Sequence, residues 1–171
     1  MLSYHNDPSV KAKYAERFAQ HRAMDEVIQG QGFEGGRGCF VGCTLDAYDH
    51  SRFPKELGWP EWLARLADTI FEGIPASDAA QFGTDLLEAV PVGVDLEPVQ
   101  WHLAILRHTA SLKLLESNTE PYAQQVRDAI GKVIAYCRDK ITGSAARSAA
   151  ESAVFQTERD ALLSILKSMK A

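Results

Sequence analysis

The sequence predicts an all-α protein: an irregular helical bundle of five or more helices in a single domain. Three observations predict it. Apolar residues recur at helical spacing in one segment after another. Those segments are bounded by capping residues, prolines and glycines. The two stretches with β-branched character, FVGCTL and AVPVGVDL, are both interrupted by glycine or proline and sit in helical context, so neither reads as a strand.

In chain order, Asp7-Pro8 opens the first helix, an N-cap acceptor followed by a proline whose missing N–H costs nothing there. Val10, Tyr14, Phe18, Met24 and Ile28 fall on one side, and the helix is expected to continue to Gly30. The segment 29–38 is a glycine-rich interhelical loop. Cys39 to Ala47 reads as a short helix, and Asp49 or Ser51 caps a brief helical turn ending at Gly58. Pro60-Glu61 opens an amphipathic helix with Trp62, Leu63, Leu66, Ile70 and Phe71 inward, Glu61, Arg65, Asp68 and Glu72 outward, and Gly73 as its stop. Ser77-Asp78 reads as the next N-cap, with Gly83 placed to split the helix that follows and Pro91 to end it. From Asp95 to Ser117 the apolar residues form two stripes, one with Leu103 and Leu106 and one with Trp101 and Ile105, which predicts a central helix covered on both sides. A helix carrying Val126, Ile130, Ile134 and Cys137 follows the Thr119-Glu120-Pro121 turn, and an alanine-rich C-terminal helix is expected over 144–170. The apolar side of that last helix would face its own domain or, in a homodimer, a second copy.

The 171 residues suffice for one domain with a substantial core, and 46% apolar with 24% charged residues is ordinary for a globular protein. No apolar run approaches the ~20 residues that cross a bilayer, and no apolar core of a signal peptide stands near Met1, so no membrane partner is expected and the default address is cytoplasmic. Three cysteines, an odd number, suit a reducing compartment better than a disulfide framework. A net charge of -5 without a dense Lys/Arg block disfavours nucleic acid as a partner.

Chemistry concentrates around the loop, GQGFEGGRGCFVGCTLD over 30–46. Gly30 to Gly35 spells the dinucleotide fingerprint G-x-G-x-x-G, but that motif needs a strand before it and here a helix precedes. Two readings remain: an anion-binding loop of inward N–H groups with Arg37 supplying charge, or a plain connection between helices meeting at a steep angle. If Cys39 opens a helix, the N-terminal dipole and Arg37 would lower its pKa, which makes it the nucleophile candidate. Cys43 lies one turn on, with His50 beyond, so two readings stand for the thiols: a zinc cluster completed by His21 or Asp25, though C-x3-C lacks a second close ligand pair, or two small buried residues.

His21 falls in the middle of the first helix's apolar stripe with Asp25 four residues on, where a carboxylate can orient an imidazole. A catalytic arrangement follows, with Cys39 attacking, His21 or His50 as base and Asp25 orienting; the alternative is a buried polar pair that bonds the glycine segment. Ligand contacts are placed on Arg37, Gln29, Glu26 and Cys43. No motif assigns a cofactor.

The stretches HRAMDEVIQGQG, GCFVGCT, DHS, ELGWP, LARLADTIFEGIP and VPVGVDL follow one another in this order. In that order they resemble a group of uncharacterised bacterial and phage-associated helical proteins, over about the first 95 residues. The resemblance lines up His21, Asp25, Glu26, Gln29, Cys39, Cys43, Asp49, His50 and Ser51, and implies no activity.

The residues themselves support a protein that binds a small molecule or another protein, or carries thiol or metal chemistry, around the glycine-rich loop. Its enzyme form would be a cysteine-dependent hydrolase or transferase. The rival is a non-enzymatic interaction or regulatory protein in which the polar cluster is structural only.

Overall fold

A computed structural model describes residues 1–144. Among them are seven α-helices, α1 (Pro8–Ala23), α2 (Phe40–Leu45), α3 (Phe53–Leu57), α4 (Glu61–Gly73), α5 (Ala76–Ala89), α6 (Val99–Leu115) and α7 (Pro121–Ser144). One antiparallel pair, β1 (Phe33–Glu34) and β2 (Arg37–Gly38), interrupts them. The fold is all-α, as the periodicity predicts. By contacts the chain divides into two compact units, one reaching from Met1 to Leu96 and the other beginning at Glu97. The helix expected over 144–170, and with it the dimer face, lies outside the described residues. Among those residues no helix is long and apolar enough to cross a membrane.

The first unit is organised by a run of packed rings. Phe18 of α1 meets Phe40 of α2 at 5.7 Å, Phe40 meets Phe53 of α3 at 6.1 Å, Phe53 meets Trp59 at 5.9 Å, and Trp59 meets Tyr4 edge-on at 5.7 Å. All five are buried, and ring pairs at these separations add attraction to the area they remove from water. The N-terminal residues, which have no periodicity to place them, are pinned as well. Tyr4 donates its hydroxyl to the Leu87 carbonyl at 2.8 Å, and Ser3 exchanges backbone hydrogen bonds with Val94 and Gly93.

Helix α1 starts as expected, with the Asp7 carboxylate accepting the Ser9 N–H at 2.8 Å. It stops at Ala23, well short of Gly30. Asp25 takes a left-handed conformation (φ 54°), and the Glu26 N–H folds back to the His21 carbonyl. The reason is tertiary. Glu26 and Ile28 bond the backbone of Gly38, at 3.0 and 2.9 Å, and a helix running to Gly30 would remove both partners. Met24, expected inward, is therefore exposed.

The glycine-rich segment is more ordered than a connection needs to be. Gly35 and Gly36, both with positive φ, form a two-residue turn between Glu34 and Arg37, the pattern that suits a tight hairpin. The hairpin lies directly on α2. The Gly32 carbonyl accepts the Cys39 N–H at 3.1 Å, and a Cβ on either Gly38 or Gly42 would collide with that carbonyl. The two strand residues on each side were not visible in the periodicity because their pairing is set by this turn and not by alternation.

Helix α4 opens after Pro60 and ends at Gly73 as read, but Asp68, expected outward, is buried. Helix α5 begins after Pro75, ahead of the Ser77-Asp78 cap, and is not split. Gly83 instead leaves room for the Phe18 ring, which a Cβ there would strike.

In the second unit α6 and α7 pair as a helical hairpin. Arg127 closes it by donating to the Leu115 and Asn118 carbonyls at 2.9 and 3.2 Å, and Trp101 packs edge-on against Tyr136. Among the described residues α6 is not covered on both sides. Of its residues only Val99 is buried, the Trp101 and Leu103 stripes are half-buried, and Leu114 is exposed.

Replacing Gly42 by alanine should force the hairpin off α2 and lower stability by about 1–3 kcal/mol, the usual cost of overpacking. Gly73→Ala, where a Cβ meets open space, should change stability by less than about 0.5 kcal/mol. Urea unfolding of both variants measures the difference.

Candidate functional site

Two polar clusters flank α2, and each takes one of its thiols. They are built by different means.

The first centres on His21, at the buried end of α1. Its Nδ1 lies 2.7 Å from Glu26 Oε2 and its Nε2 2.8 Å from Asp46 Oδ1. Carboxylates only accept hydrogen bonds, so this arrangement is complete when both ring nitrogens carry protons. Burial lowers the His21 pKa, but the hydrogen bonds and charges of Asp46 and Glu26 outweigh it and the pKa is raised. Asp46, the left-handed residue that closes α2, is held in turn by Arg17 at 3.0 Å. Asp25, expected to orient His21, does not reach it: the turn after Ala23 swings Asp25 off the helix face, and Glu26, one residue further on, takes its place. Cys43 belongs to this side. Its thiol points at the carbonyls of Gly38 (3.3 Å) and Glu26 (3.7 Å), and burial, with Glu26 and Asp46 nearby, pushes it up to about 11.

The second cluster centres on Asp68 of α4. The Asp68 Oδ2 atom accepts from the Tyr48 hydroxyl at 3.1 Å and from His50 Nε2 at 3.0 Å, and the two donors' rings stand edge-on 5.0 Å apart. They sit on the segment between α2 and α3. Asp49 shapes that segment by accepting the Ser51 N–H and hydroxyl at 2.9 and 2.6 Å, the cap the sequence indicates. Cys39, the N-cap of α2, brings its thiol to the same place, as does Glu72 one turn beyond Asp68. One donor atom each from Cys39, Asp68 and Glu72 lie within 4.8 Å of one another. Glu72 is exposed, and its Oε2 accepts the Gly30 N–H at 2.8 Å. The other carboxylate oxygen of Asp68, Oδ1, is fully buried and takes no hydrogen bond from the described residues.

The residues named from sequence are thus distributed and not gathered. Cys39 and His50 share the Asp68 cluster; His21, Glu26 and Cys43 share the other. A single Cys39, Cys43 and His50 zinc cluster is not formed, because Cys43 faces away toward Glu26. Cys39 sits at a helix N-terminus as expected, but its pKa moves opposite to the expected direction. Burial pushes it up to about 12, the Gly42 and Val41 N–H groups oppose the rise, and Asp68 adds to it both by its charge and by accepting from the thiol. Arg37 does not offset this: it is exposed and donates to the Asp25 carbonyl at 3.2 Å. Both histidines spend their hydrogen bonds on carboxylates. Gln29 holds the end of α4, donating to the Ile74 carbonyl at 2.8 Å and to that of Phe71. The N–H groups of Gly30, Gly38 and Cys39 bond Glu72, Glu26 and the Gln31 and Gly32 carbonyls respectively, so they are engaged within the protein and not turned to an anion.

Asp68 is the residue that sequence reasoning missed. At 100° per residue it lies about 40° from Ala64 and about 60° from Phe71 around the helix, on the border of the buried arc. Ala64, about 20° beyond Phe71 on the same side, extends that arc past the large apolar side chains and is buried. Compared with known proteins, the chain matches no family model, no curated protein and no solved structure.

The raised pKa of His21 has a direct consequence for stability. The folded pKa lies above the ordinary 6.5, so the imidazolium's contribution is fully present below pH 6.5 and is lost as pH rises through the folded value. The stability advantage of the wild-type chain over His21→Asn, measured by urea unfolding, should be fully present at pH 6 and shrink as the pH rises from there. NMR titration of the His21 ring should give a pKa above 6.5.

Proposed function

We propose that this chain is a ligand-binding protein whose site is the Asp68 cluster, beside Cys39 at the start of α2 and joined to the glycine-rich segment through Gly30. The observation that carries the reading is the convergence of Cys39, Tyr48, His50, Asp68 and Glu72 on one point at the edge of an aromatic core. A fold of this size gains nothing from placing a carboxylate there with one oxygen unbonded, since buried polar groups cost free energy unless they are paired. Sites kept for binding commonly carry such a cost. A cysteine hydrolase is the weaker reading. Cys39 is 1% exposed, its pKa lies far above neutrality, and neither histidine's hydrogen bonds go to it. Three unpaired thiols fit a cytoplasmic address.

Asp68→Asn tests the proposal. The amide oxygen can still accept from Tyr48 and His50, while the amide removes the charge and can donate to the nearby Glu72 carboxylate. If the charge is retained for binding, the variant should gain about 1–2 kcal/mol of stability, the cost of an unsatisfied buried acceptor. A loss of stability on urea unfolding would mark the carboxylate as structural and overturn the reading.

A further inference from the structure

We propose that Cys39, Asp68 and Glu72 bind one thiophilic divalent cation of the zinc class, with a fourth position left to solvent. The inference rests on the binding-site reading above and names its ligand.

Three features of the cluster point to a cation. The first is the donor set. A thiol sulfur and two carboxylate oxygens within 4.8 Å of one another lie close to tetrahedral spacing. Metal–ligand distances of about 2.0–2.3 Å place such atoms ~3.3–3.8 Å apart, so rotation about side-chain bonds closes the gap. Asp68 and Glu72 are one turn apart on α4 and so present both oxygens on one side of a rigid element. The second is the buried oxygen. Asp68, with 7% of its surface exposed, directs Oδ2 to Tyr48 and His50 and leaves Oδ1 without a hydrogen bond. A cation held by this carboxylate would satisfy that oxygen.

The third feature is the outer layer. Ligating carboxylates in metal sites are themselves held by hydrogen bonds, and both are held here: Asp68 by Tyr48 and His50, Glu72 by the Gly30 N–H. Sulfur in the set selects a borderline-soft ion over magnesium or calcium, which take oxygen ligands. On binding, the Sγ–metal bond forms as the Sγ–H bond breaks, and the proton leaves to water. The exposed Glu72 marks the side from which the ion arrives. Three protein ligands with an open fourth position is the coordination of a zinc ion that can hold water or a substrate.

The test is titration of the full chain with Co2+, following the near-ultraviolet sulfur-to-cobalt charge-transfer band. We expect one equivalent to saturate the band and Zn2+ to abolish it by displacement. The band should be absent in Cys39→Ser and unchanged in Cys137→Ser. Glu72→Gln alters only an exposed residue, so it should fold normally by circular dichroism and weaken binding by more than the ~10–100-fold typical of losing an outer-layer partner. Tyr48→Phe should fall within that ~10–100-fold range. A band that survives in Cys39→Ser, or an affinity that Glu72→Gln leaves intact, overturns the assignment. Absence of any band in a chain whose Asp68→Asn variant is stabilised overturns the metal while the binding-site reading stands; absence together with a destabilised Asp68→Asn overturns both.

Discussion

The Gly32 carbonyl rests on α2 at a place where neither Gly38 nor Gly42 has a side chain to hold it away, and there it accepts the Cys39 N–H. Much else in the first unit follows from that seat. With the hairpin held on α2, Gly38 is in position to bond Glu26 and Ile28, and those bonds end α1 early. The early end turns Glu26, and not Asp25, toward His21. On the other side, Gly30 meets Glu72 and Gln29 meets the last turn of α4, so the segment is fastened at both ends.

The two clusters beside α2 differ in how completely they are satisfied. Around His21 both ring nitrogens meet a carboxylate, and Asp46 meets Arg17 as well. Such a network fastens the end of α1 to the end of α2 and needs nothing further. Around Asp68 the same residue types leave an oxygen over. This contrast within one small fold is what favours the proposal that the second cluster, and not the first, binds a ligand.

How much of this was legible in the sequence depended on the range of the forces involved. Local signals read well: Asp7-Pro8 starts α1, Asp49 caps its turn, Pro60 and Gly73 bracket α4, and Cys39 opens α2. His21 on an apolar stripe was a sound indication of a buried polar group. Its partner was not, because Asp25 and Glu26 differ only in which side of a left-handed turn they fall, and that turn is decided by hydrogen bonds to Gly38. Asp68 was read as solvent-facing because a carboxylate bordering an apolar arc ordinarily is; its burial depends on Tyr48 and His50 from a segment about twenty residues earlier, contacts that periodicity does not carry. Glycine content announced an unusual loop, yet only the paired φ values of Gly35 and Gly36 make it a hairpin.

The same nine residues, 30–38, hold two opposite kinds of glycine. At the tip, a side chain on Gly35 meets no atom within 4 Å, and the demand there is only for a left-handed backbone, which asparagine or aspartate can also adopt. At the base, Gly38 and its neighbour Gly42 admit no side chain at all. In a population of variants the segment would therefore drift freely in identity at its apex and stay fixed at its foot, and its apex could be lengthened or decorated without disturbing the helix beneath.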